Sequence, residues 1–82
     1  MSRYEVPVTI DSKSYEFAYG YDHPMQTYFW QLFDEAGELL VDEGGMVSKT
    51  GVQLCEAIDK YNASGCVPEG HRDAALMDRP IE

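Results

Sequence analysis

The chain has 82 residues, 44% of them apolar and 26% charged. That composition suits one folded domain and excludes a disordered tail. No run approaches the ~20 consecutive apolar residues that a membrane-spanning helix needs. Fifteen Asp and Glu against six Lys and Arg leave a formal net charge of −9, a sign that repels nucleic acid and anionic lipid and attracts basic surfaces.

Tyr4, Val6, Val8 and Ile10 alternate with Glu5, Pro7 and Thr9, which predicts a strand with one buried face. Pro7 cannot donate to a ladder, so this strand belongs at a sheet edge. Asp11-Ser12-Lys13 is a turn, after which Tyr15, Phe17, Tyr19 and Tyr21 resume the alternation and complete a hairpin. Gly20 to Pro24 breaks the pattern. A third strand is predicted over about Gln26 to Asp34. There Tyr28, Trp30 and Leu32 form one apolar set, and Phe29 and Phe33 the other. A strand apolar on both sides is central, and a side left uncovered becomes an exposed aromatic patch of the kind that marks an interaction site. A tight turn at Glu35-Ala36-Gly37-Glu38 leads to a short fourth strand, Leu39-Leu40-Val41, ended by Asp42-Glu43-Gly44-Gly45.

Thr50-Gly51-Val52-Gln53 has the S/T-x-x-E/Q form of a helix capping box. Leu54, Cys55, Ile58 and Tyr61 follow at the spacing of one buried helix face, with Gln53, Glu56, Asp59 and Lys60 toward water. Asn62 and Gly65 supply the stop. These elements predict an α+β fold: an antiparallel meander of three to four strands with one amphipathic helix packed on one face. Residues 1–64 form the domain, and 65–82 are expected to be a polar, partly mobile C-terminal extension with one short helical turn at Asp73 to Asp78.

No catalytic constellation emerges. Cys55, Cys66, His23 and His71 lack the close ligand pairs of a structural zinc site. Asp34 to Glu43 is rich in oxygen ligands but lacks the spacing and helical context of a calcium loop. His23 beside Asp22 has no oriented nucleophile, and no phosphate-binding glycine motif occurs. The expectation is a protein that is not an enzyme, with no metal and no cofactor. The opening Met1-Ser2-Arg3-Tyr4-Glu5 has no apolar leader, and two cysteines are too few for a disulfide framework, so a reduced, cytoplasmic setting is expected.

What stands out is the distribution of charge. From Ser14 to Ser48 there is no Lys or Arg, while Glu16, Asp22, Asp34, Glu35, Glu38, Asp42 and Glu43 all fall inside. Aromatic residues share the segment, and aromatic anchors ringed by carboxylates suit recognition of a basic protein. The candidate partner-binding residues are Asp22, Asp34, Glu35, Glu38, Asp42, Glu43, Tyr21 and Tyr28. About half of the ten aromatics are expected in the core.

In size, acidity and lack of catalytic motifs the chain resembles the small anti-CRISPR inhibitors of phages and mobile elements. That resemblance implies a compact α+β protein, acting in the cytoplasm of a bacterial host cell, that occupies a nucleic-acid-binding surface of an effector complex by DNA mimicry. It carries over no individual residue role. The expected partner is thus a basic protein surface, with no direct contact to nucleic acid or membrane, and a monomeric or homodimeric state. A self-associating accessory domain is the alternative, since an open sheet edge pairs readily with another chain.

Overall fold

A computed structural model describes residues 2–45 and 47–82. The first alternating runs become β1 (Tyr4–Ile10) and β2 (Lys13–Asp22), antiparallel from Tyr4↔Tyr19 to Ile10↔Lys13. Only Asp11 and Ser12 lie between them, at φ 50° and 65°. Two successive left-handed residues make the tight turn whose twist matches the flanking strands, and Asp tolerates that region better than most side chains.

β3 (Thr27–Phe33) and β4 (Leu39–Glu43) extend the meander to the order β1-β2-β3-β4. β1 is an edge strand, as Pro7 predicts. The β3–β4 turn is built on Asp34: its Oδ1 accepts from the Glu38 N–H at 2.8 Å, and its carbonyl accepts from the Gly37 N–H at 3.0 Å. Val41 pairs with Leu32 but Leu39 pairs with Phe33, so Leu40 is the extra residue of a bulge.

Strand alternation sends Tyr4, Val6, Val8, Phe17, Tyr19, Tyr28, Trp30 and Leu32 to one side of the sheet. α1 (Gly51–Lys60) covers that side with Leu54, Cys55, Ala57 and Ile58. The capping box forms in full: Thr50 Oγ1 accepts from the Gln53 N–H at 3.2 Å, and Gln53 Oε1 accepts from the Thr50 N–H at 2.8 Å. Thr27 positions this start. Its buried hydroxyl accepts from the Lys49 N–H at 2.6 Å, and the Lys49 carbonyl accepts from the Tyr28 N–H at 3.3 Å.

Two expectations are corrected here. The fold has two helices, not one, because α2 (Glu69–Leu76) follows. Only Ala75 of α2 is buried, so no apolar stripe announced it, and Gly70 and His71 are weak helix formers. A contact with α1 holds it: a Cβ at Gly51 would collide with the Ala75 carbonyl, so glycine is what lets the helices approach. Arg72 adds a two-pronged pair to Asp59, at 2.9 and 3.2 Å. Second, residues 65–82 are not a polar extension but part of the core. Val67, Ala75 and Ile81 are buried, Tyr28 Oη donates to the Arg79 carbonyl at 2.6 Å, and Tyr4 Oη donates to the Glu82 carbonyl. Three well-spaced apolar side chains in a polar stretch suffice to seat it.

Candidate functional site

Among the described residues, no helix lies on the opposite side of the sheet. In register across it lie Glu5, Ala18, Gln31 and Asp42, then Pro7, Glu16 and Phe33, and then Gly20 beside Phe29. β2 contributes small residues along its centre, and that lets longer neighbours lie flat. A Cβ on Gly20 would collide first with the Ser2 carbonyl and then with the Phe29 ring, whose Cζ lies 2.8 Å from that position. Arg3 reaches from the β1 side over β2 to β3, its Nη1 donating to Gln31 Oε1 at 2.7 Å, while its Nη2 pairs with Glu5 at 3.4 Å. Gln31 Nε2 in turn donates to Asp42 Oδ1 at 3.1 Å. The guanidinium also sits 6.0 Å from the centre of the half-buried Phe33 ring.

This bridge divides the face into two shallow hollows of about 240 Å³ each. Glu5, Glu16, Phe33, Asp34 and Glu35 line the first. Arg3, Asp22, Phe29, Gln31, Asp42 and Glu43 line the second. Among the described residues, Arg3 is the single cation on either lining. Arg72 pairs with Asp59 away from this face, whereas Lys49 takes the Glu43 carboxylate at 3.4 Å, on the Trp30 side of the sheet, so Glu43 is already partnered.

Of the residues singled out from sequence, Asp34 and Glu35 fall in the first hollow and Asp22, Asp42 and Glu43 in the second. Several also have local tasks. Asp34 shapes its turn, Asp22 Oδ1 accepts from the Met25 N–H at 3.3 Å, and Glu35 Oε1 accepts from the Ser14 N–H at 3.4 Å. Glu38 is exposed in the turn. Tyr21 and Tyr28 belong to the other side of the sheet, so Tyr28, expected at a partner surface, is core at 2% exposed. Burial, with Asp78, Tyr21 and Cys55 nearby, pushes its hydroxyl up to about 12. Four of the ten aromatics are buried: Phe17, Tyr19, Tyr28 and Trp30.

Sequence reasoning missed Glu5, Glu16, Arg3 and Gln31. The signal was strand register: once Pro7 is opposite Glu16 and Glu16 opposite Phe33, acids far apart in the chain share one surface. It also placed every cation outside the acidic window, whereas Arg3 folds into the middle of that surface.

Two of the residues considered for metal or catalysis are engaged in the core side of the fold. Cys55 is buried, its thiol pushed up by burial, and the Nδ1 of His71 lies 2.7 Å from the Tyr19 hydroxyl. Among the described residues no three His, Cys, Asp or Glu side chains converge as metal ligands would. The chain matches no family model, no curated protein and no solved structure.

Proposed function

We propose that this protein is an acidic protein-binding inhibitor that lays its helix-free sheet face on a basic, nucleic-acid-binding surface of another protein, as the anti-CRISPR-type resemblance implies for a bacterial effector complex. One observation carries the reading: carboxylates from three strands and one turn gather around Phe29 and Phe33 on the face away from the helices, with Arg3 as the one cation on its linings among the described residues. Half-buried rings supply apolar area, and carboxylates take the Arg and Lys positions that would otherwise hold phosphates. The test is capture from a bacterial lysate on immobilised protein, with duplex DNA as competitor. Captured proteins should bind nucleic acid, be released by added DNA and by raised salt, and be lost with the folded triple variant E16K/E35K/D42K. Capture that the triple variant leaves unchanged overturns the reading.

A second reading, self-association, is favoured by β4. It is an edge strand of five residues with Leu39 and Leu40 about half exposed, and an open apolar edge invites pairing with a second copy. Sedimentation across micromolar concentrations decides it: a strict monomer removes this reading.

A further inference from the structure

We infer that the first hollow of the helix-free face takes an arginine, rather than a lysine, of the basic partner, with the guanidinium against Phe33 and between Glu16 and Glu35. The inference rests on the functional reading above and deepens it, naming which basic side chain the face selects. The protein shows how this face treats a guanidinium, because Arg3 already lies on it. That group spends donors on Gln31 and Glu5 while its Cζ sits 6.0 Å from the Phe33 ring centre. The neighbouring hollow, about 240 Å³, shares Glu5 and Phe33 with that site and adds Glu16, Asp34 and Glu35, with no cation on its own lining among the described residues. Phe33 forms part of its lining, Glu16 has no cation within ion-pair distance among the described residues, and Glu35 has only one oxygen engaged, by the Ser14 N–H.

Charge alone would attract lysine equally well. Geometry distinguishes the two. A guanidinium is planar and weakly hydrated, stacks on an aromatic face and offers paired donors to a carboxylate. An ammonium is a compact, strongly hydrated point that gains less from a ring it must desolvate to reach. A floor of Phe33 with carboxylates at its sides therefore fits the planar cation.

The experiment titrates the full chain with oligo-arginine and oligo-lysine peptides of equal length by calorimetry at ~0.1 M salt. Oligo-arginine should bind about three- to ten-fold tighter, the range that ring stacking and paired hydrogen bonds supply. Phe33→Leu, which keeps apolar bulk and removes the ring, should bring the two peptides together, and Glu16→Gln should weaken arginine binding more than lysine binding. Equal affinities for the wild type, or a preference that survives Phe33→Leu, overturn the arginine assignment. If the peptides bind equally and E16K/E35K/D42K abolishes both, only that assignment falls and the basic-partner reading stands. If neither peptide distinguishes wild type from the triple variant, both fall.

Discussion

The Tyr28 hydroxyl donates to the Arg79 carbonyl across 2.6 Å, tying the middle strand to the last residues of the chain. Two residues further on, Ile81 is only 1% exposed. A domain this small gains rarely more than ~3–5 kcal/mol from its core, and emptying a buried isoleucine site costs about 2–5 kcal/mol. Ile81→Ala should therefore leave the protein largely unfolded at room temperature, as urea titration followed by circular dichroism would show. Tyr28→Phe should cost less, about 1 kcal/mol, the net value of one hydrogen bond. A fully stable Ile81→Ala protein would mean that the C-terminal segment does not belong to the core.

Tyr19 and Tyr28 give the fold an alkaline limit. Burial first, and then Tyr4, raises the Tyr19 hydroxyl from 10.0 to about 12; Tyr28 rises equally. Both folded values lie above the unfolded one, so the stability these groups hold is fully present below pH 10 and is lost as pH climbs toward 12. Ultraviolet titration should show two of the six tyrosines ionising late, together with unfolding. Early, independent ionisation of all six would contradict their burial.

The β1–β2 turn holds Ser12 at φ 65°, where a side chain costs roughly 1 kcal/mol that glycine avoids. Asp-Gly is a preferred sequence for this turn. Ser12→Gly should raise the melting temperature by about 4–8 °C, the shift that ~1 kcal/mol produces in a domain of this size. Calorimetry would check it, and a lowered melting temperature would refute the turn geometry.

Like charges gathered on the helix-free face should oppose folding when unscreened. Added sodium chloride, rising to ~0.5 M, should therefore stabilise the wild type. The double variant Glu16→Gln, Glu35→Gln should be more stable at low salt by about 0.5–1 kcal/mol and respond less to salt. Identical salt responses in thermal melts would show that these carboxylates do not share a field.

Much of the scaffold was legible from local pattern. Alternation from Tyr4 to Tyr21 gave the first hairpin, Pro7 gave its edge, and Thr50 with Gln53 gave the helix start, because each rests on chemistry within a few residues. What depended on pairing between distant segments was not. Glu5 and Glu16 join Asp34 only through register. α2 is held by one buried alanine and a close approach to Gly51 rather than by its own periodicity. Tyr28 and Trp30 read equally well as surface anchors until the helix side of the sheet is assigned.

The bond from Tyr4 to the Glu82 carbonyl also decides how the molecule can be tethered. Tyr4 points to the helix side, so anything fused after Glu82 leaves from behind the sheet. Anchoring the protein to a bead or sensor chip through that end would present the carboxylate-bearing surface outward.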